Sequence, residues 1–112
     1  MSEYAVYLRD IIANIELTQK FIADISYDEF VRDELRNYGV VRCLEIIGEA
    51  TKRLPDELRN QHPEIPWRSM TGTRDVVAHA YASINLHKIW QTAKYQLPEL
   101  KPQIQKILAD LK

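Results

Sequence analysis

Hydrophobic positions recur along the chain at the spacing of helices. In the first segment the apolar residues lie three and four positions apart, which puts them on one face of an α-helix. This spacing predicts a first helix over about residues 2–25, with one buried stripe. The stripe consists of Ala5, Leu8, Ile11, Ile12, Ile15, Phe21, Ile22 and Ile25.

A capping box marks the start of a second predicted helix. The Ser26 hydroxyl can accept a hydrogen bond from the backbone N–H of Glu29, and the Glu29 carboxylate can accept one from the N–H of Ser26. An apolar stripe then continues from Phe30 to Leu54, which predicts one long helix. Two glycines, Gly39 and Gly48, lie inside it. Each costs about 1 kcal/mol relative to alanine, which indicates close backbone approach or a bend.

Prolines divide the second half of the chain. Pro55 ends the long helix or opens a short one over about residues 55–61, and residues 62–66 form an extended break because proline disfavours helix in the residue before it. Further helices are expected from Pro66 to about Tyr81 and then to about Gln96, the latter capped by Ser83 or Asn85. Leu97-Pro98-Glu99 starts a last helix or kinks the same one. The prediction is an all-α bundle of four to five helices, with residues 1–112 as a single domain.

Charge is distributed unevenly along the 112 residues. The formal net charge is −1, which argues against a general coating of polyanions. Residues 1–35 carry three basic and eight acidic side chains, a net charge of −5, whereas residues 36–112 carry twelve basic and eight acidic ones, a net charge of +4. Solvated helix faces explain this asymmetry, but it also permits a focused phosphate site in the second part.

Cysteine and histidine usage offers no metal site. The single cysteine, Cys43, excludes an internal disulfide and a multi-thiolate zinc site, and its apolar surroundings predict a small core residue. We expect no metal and no cofactor. No apolar run approaches the roughly 18 residues of a membrane span, and the N-terminus lacks signal-peptide features. We therefore expect a cytoplasmic protein with no membrane partner.

Chemistry-bearing side chains concentrate between Gly72 and Tyr81. Asp75 and His79 are four residues apart and share one helix face. Arg74 and His79 are five apart, about 140° around an ideal helix, so the long arginine side chain or a partner subunit is needed to join them. The set suits phosphodiester cleavage without metal, because histidine moves protons near neutral pH and arginine binds phosphate with two hydrogen bonds. Asp75 could orient the His79 ring, and Tyr81 could contact a phosphate or a base. An Arg–Asp ion pair with a capping histidine is the ordinary alternative.

The segment Arg74-Asp75-x-x-x-His79-x-Tyr81 matches the R-x4-H-x-Y motif of HEPN-domain proteins, and the chain resembles the HepT-like toxins among them. Three further segments carry the resemblance, and with the motif they cover nearly the whole chain. They are Val41–Ala50, Pro66-Trp67 ahead of Gly72-Thr73-Arg74, and Ile89-Trp90 followed by Leu97-Pro98-Glu99-Leu100.

The resemblance implies a HEPN bundle that forms a homodimer with two motif copies facing each other across a cleft. It implies a metal-independent endoribonuclease acting as the toxin of a type II or type VII-like toxin–antitoxin pair. The implied antitoxin is an MNT-type nucleotidyltransferase that adenylylates Tyr81 to O-AMP-tyrosine. Arg74 and His79 are then the catalytic residues. Asp75, Tyr81 and Glu49 support them, although Glu49 could equally form a structural ion pair with Arg42.

Two other functions stay open. The chain could be a non-catalytic subunit that binds a nucleotide or substrate for a nucleotidyltransferase, or a purely structural helical dimer. Several remaining side chains have ordinary explanations: the lone histidines as surface or capping groups, the basic residues as solvated faces rather than RNA guides, and the tryptophans as core or interface anchors. These residues are His62, His87, Lys52, Arg53, Arg59, Arg68, Trp67 and Trp90.

Overall fold

The computed structural model describes residues 3–71 and 85–111. Regular structure in these two ranges is helical, as the apolar spacing predicts. A π-helical turn, Thr92–Gln96, joins the last two helices, and a short helix, α5, begins at residue 67 and is described as far as residue 71. The other helices are α1 (Ala5–Ile22), α2 (Tyr27–Arg32), α3 (Glu34–Lys52), α4 (Asp56–Asn60), α6 (Leu86–Gln91) and α7 (Leu97–Asp110).

The helix α1 lies at the centre of the packing, against α3 and α7. Its buried side chains follow the predicted stripe closely, and Leu8, Ile11 and Ile15 are fully enclosed. They meet Leu44 of α3 and Ile104 of α7 in one continuous core. Burial of this apolar surface is the main stabilising contribution in such a bundle.

The capping box is confirmed at the start of α2. The N–H of Glu29 donates to the Ser26 hydroxyl at 3.2 Å, and the N–H of Ser26 donates to the Glu29 carboxylate at 3.0 Å. The backbone hydrogen bond from Ser26 lowers the pKa of the Glu29 carboxyl, because it stabilises the charged form.

The prediction of one helix from Tyr27 to Leu54 is wrong, because the helix is interrupted at Asp33. This residue is extended, with φ −99° and ψ 93°. Its N–H donates to the Glu29 carbonyl and closes α2, while its carboxylate accepts from the N–H of Arg36 at 3.2 Å and caps α3. The same aspartate therefore ends one helix and starts the next, a role that suits its strong preference for the N-cap position.

Close backbone approach explains one of the two helical glycines. A Cβ atom at Gly39 would overlap the ring of Phe21, so a side chain there would have to displace the aromatic ring of α1. Gly48 is buried in the same helix. The cost of Gly39 in helix propensity is thus offset by tight packing of α3 on α1.

Residues 62–66 interrupt the helices as predicted, but they form hydrogen-bonded turns and not an extended segment, because the N–H of Ile65 donates to the carbonyl of His62 at 3.2 Å. Trp67 secures these turns, because its indole N–H donates to the carbonyls of Arg59 and His62 at 3.0 and 2.9 Å. Asn85 caps α6 as one of the two predicted alternatives, with its side chain accepting from Lys88 N–H at 3.1 Å. Ser83, the other alternative, lies outside the described residues.

The chain stays helical across Leu97-Pro98-Glu99 instead of starting anew. The N–H of Leu97 donates to the carbonyl of Thr92, five residues back, which is the hydrogen bond of a π-helix. The wider turn accommodates Pro98, whose missing N–H would interrupt a regular α-helix.

Candidate functional site

The four motif residues lie outside the described part of the chain. Arg74, Asp75, His79 and Tyr81 fall between the end of the first described range at residue 71 and the start of the second at residue 85. Their roles as catalytic and supporting residues therefore stay predictions. The structure does describe the helices on either side and α3, which contains the segment Val41–Ala50 that carries part of the resemblance and is called the signature segment below.

The signature segment Val41–Ala50 lies in the second half of α3. Its apolar positions face the core: Cys43, Leu44 and Ile47 are almost completely buried. Burial raises the pKa of the Cys43 thiol, since the apolar surroundings disfavour the thiolate. The structure thus places Cys43 in the core, as its apolar surroundings predict.

Glu49 lies on the opposite, exposed face of α3. The alternative of an ion pair with Arg42 is not what the structure shows, because the Arg42 guanidinium lies 3.8 Å from the carboxylate of Glu45. Glu49 makes no ion pair with any residue inside the two described ranges. Its carboxylate is exposed at the surface of α3, and its supporting role toward Arg74 stays a prediction.

The basic residues considered as RNA guides fall into two groups. Arg59 forms an ion pair with Asp56, and Arg53 lies over the ring of Tyr7, 6.0 Å from its centroid. Both take part in local structure. Lys52 and Arg68 are exposed, and these two are the better placed to attract a phosphate backbone.

An aromatic cluster fixes the helix that follows the motif in sequence. Trp90 of α6 is 7% exposed, and its ring centroid lies 5.2 Å from that of Phe30 and 6.0 Å from that of Tyr27. His87 meets Tyr27 edge-on at 5.6 Å. Trp90 is thus a core anchor and not a base-stacking platform. The pairing of α2 with α6 could not be predicted from sequence spacing, because it joins residues far apart in the chain.

No helix among the described residues is both long and apolar enough for a membrane crossing. In the same two ranges, the His, Cys, Asp and Glu side chains form no group of three that could hold a metal ion.

The helical bundle, with the signature segment inside α3, defines a small protein of the HEPN-like all-α class. The chain belongs to the HepT-like ribonuclease family, since the family model "Ribonuclease HepT-like" matches residues 11–107. This match confirms the predicted family, the bundle fold and the predicted enzyme class, an endoribonuclease.

Relatives align over most of both chains. "Putative RNase MJ0125" of Methanocaldococcus jannaschii is 39% identical over 105 residues, covering 94% of this chain and 90% of its own length. "Probable ribonuclease HepT" of Thermococcus cleftensis is 42% identical over 101 residues, covering 90% of this chain and 92% of its own. No solved structure shows significant similarity to the chain.

If Glu49 supports Arg74, Glu49→Gln is expected to lower the rate of RNA cleavage by about tenfold, because a charge-assisted hydrogen bond would be replaced by a weaker neutral one. The matched control is Glu45→Gln, which removes a carboxylate from the same helix. Initial rates of cleavage of a labelled RNA measure both variants. Equal rates for wild type and Glu49→Gln would exclude a supporting role for Glu49.

Proposed function

We propose that this chain is the toxin of a type II or type VII-like toxin–antitoxin pair, and that it cleaves RNA in the cytoplasm as a homodimer without a metal ion. The observation that carries the proposal is the family match over residues 11–107, which includes the complete segment from Arg74 to Tyr81. Residues 1–112 are then one HEPN domain.

The reaction uses the RNA as its own nucleophile. The ribose 2′-OH attacks the adjacent phosphorus while the bond to the 5′-oxygen of the next nucleotide breaks, which leaves a 2′,3′-cyclic phosphate and a free 5′-OH. His79 moves the proton as general base or acid, and Arg74 binds the phosphate and offsets the charge that develops on it. Asp75 orients the His79 ring and selects its tautomer.

The charge distribution supports a phosphate site in the second part of the chain. The motif and the signature segment both lie within residues 36–112, which carry the net charge of +4. In a homodimer, the positively charged parts of both copies face one cleft. The exposed side chains of Lys52 and Arg68 add to the attraction of RNA phosphates. The net charge of −5 on residues 1–35 disfavours RNA binding to that part of the surface.

Chelator-resistant cleavage distinguishes the ribonuclease from the alternative, a non-catalytic nucleotide- or substrate-binding subunit of a nucleotidyltransferase. Purified protein is incubated with RNA in excess chelator, and the product ends are analysed. We expect fragments with 2′,3′-cyclic phosphate and 5′-OH ends. Binding of RNA or nucleotide without any cleavage would favour the alternative.

Tyr81 is expected to carry the switch that silences the toxin. An MNT-type nucleotidyltransferase partner adds AMP to its hydroxyl, which places bulk and negative charge beside Arg74, where the RNA phosphate must bind. After co-expression with this partner, the intact mass of the chain is expected to increase by one or more AMP units and RNA cleavage to stop.

The matched control for this switch is Tyr81→Phe, which lacks only the acceptor oxygen. This variant is expected to keep its unmodified mass in the presence of the partner. If Tyr81→Phe gained the same mass as the wild type, the modified residue would lie elsewhere. An unmodified but silenced wild type would point to inhibition by binding alone.

A further inference from the structure

A cavity of about 380 Å³ opens between α3, the start of α5, the π-helical turn and α7. Its volume lies within the range of small-molecule sites. The proposed RNA cleavage makes no use of it. Five buried side chains supply its apolar floor: Leu44, Ile47, Met70, Leu97 and Leu100.

The polar lining of this cavity is acidic. Within the described part of its lining, the charged groups are the carboxylates of Glu64 and Glu99, and the other polar side chains are neutral. Among the described residues that line the cavity, none is Lys, Arg or His; His62 lies outside the lining, with its Nδ1 atom 3.6 Å from the carboxylate of Glu64. The two carboxylates repel phosphate, so a nucleotide or an RNA strand does not fit here.

The apolar floor selects the kind of cation. A hydrated metal ion prefers oxygen ligands on several sides, whereas the buried floor of this cavity is hydrocarbon. A protonated amine on an apolar body meets both requirements, because its ammonium group pairs with the carboxylates while its carbon chain covers the floor.

The irregular backbone of the fold faces this cavity. Thr92, Gln96 and Leu97, which belong to the π-helical turn or follow it directly, all line it. π-Helical turns occur frequently at functional sites, where the extra residue widens the helix. The cavity thus lies beside the one described departure from α-helical geometry within a helix.

We propose that this cavity binds a small amphipathic amine, with its ammonium group at Glu64 and Glu99 and its apolar body on Met70 and the π-helical turn. The ligand contacts Met70, which precedes Arg74 by four positions in sequence. The site is therefore a second one, distinct in chemistry from the phosphate site of the motif.

The methionine content gives a direct readout of binding. The chain has two methionines, Met1 and Met70, so a protein labelled with ¹³C at the methionine methyl groups shows two methyl signals, assigned by Met70→Leu. Hexylammonium, hexanol and hexanoate serve as probes with the same carbon chain. We expect hexylammonium to shift the Met70 signal saturably while Met1 stays unchanged. Hexanol is expected to bind at least about tenfold more weakly, and hexanoate not at all.

Matched charge variants test the assignment of the ammonium site. Glu64→Gln with Glu99→Gln is expected to weaken hexylammonium binding by at least about tenfold. Glu57→Gln with Asp110→Asn removes the same charge from exposed positions outside the cavity lining, and is expected to bind as the wild type does. Circular dichroism checks that both double variants are folded.

Three results would overturn the proposal. They are equal shifts with hexanoate and hexylammonium, unchanged hexylammonium binding in Glu64→Gln with Glu99→Gln, and no shift of Met70 with any probe. If the Met70 signal instead changed with protein concentration alone, in step with dimer formation measured by light scattering, a second copy would cover the cavity and the amine site would be wrong.

Discussion

His79→Ala is expected to lower RNA cleavage in the presence of a chelator by at least about a hundredfold, the smallest usual contribution of a general acid–base residue. The motif segment contains no second histidine that could replace the proton transfer. Arg74→Ala is expected to lose about a hundredfold to a thousandfold, because the developing phosphate charge loses its main partner. Single-turnover rates with a labelled RNA measure both effects.

Two substitutions of the same residue types serve as controls. His87→Ala and Arg9→Ala change exposed side chains of α6 and α1 and are expected to keep near-normal rates. Each variant's circular dichroism spectrum and melting temperature show whether it is folded. Wild-type rates in a folded His79→Ala protein would exclude the proposed catalytic role and favour the binding-subunit alternative.

Mixing the two inactive variants tests whether the site is shared between copies. On an ideal helix, residues five apart such as Arg74 and His79 would be separated by about 140°, so a site built from the arginine of one copy and the histidine of the other would satisfy the geometry directly. In that arrangement a heterodimer of Arg74→Ala and His79→Ala contains one complete site. Cleavage is then expected to reappear after the variants are unfolded and refolded together. If a proven heterodimer stays inactive, both residues act within one copy.

Local signals predicted the parts of the fold that depend on neighbouring residues. The stripe of α1 and the capping box at Ser26 follow from spacings of three and four, and both are present in the structure. The break at Asp33 was missed because the apolar stripe continues across it from Phe30 to Leu54. The preference of aspartate for N-caps was the available signal, since its carboxylate accepts from Arg36 N–H.

Long-range packing could not be predicted in this way. The overlap between Phe21 and a side chain at Gly39, and the contact of Phe30 with Trp90, join helices whose relative position depends on the whole core. Contacts between side chains of the candidate site could not be predicted from spacing either. Residue types in the motif indicate phosphate chemistry and the resemblance names the family, whereas spacing alone did not show that Arg42 pairs with Glu45 instead of Glu49.

Phe30→Ala is expected to lower the free energy of unfolding by about 3–5 kcal/mol, the usual cost of removing a buried aromatic ring. Phe30 is completely buried in α2 and packs on Trp90 of α6. At roughly 4–8 °C per kcal/mol for a domain of about this size, the melting temperature is expected to fall by at least about 12 °C. Urea unfolding followed by circular dichroism measures the change.

Val31→Ala is the matched control, because it shortens the next side chain of the same helix, which is 38% exposed. Its effect is expected to stay within about 1 kcal/mol, since little apolar surface is lost from the core. The difference in unfolding free energy between the two variants measures the contact of α2 with α6, the helix that follows Tyr81 in sequence. If Phe30→Ala cost no more than Val31→Ala, the contact of Phe30 with Trp90 would not hold α6 against α2.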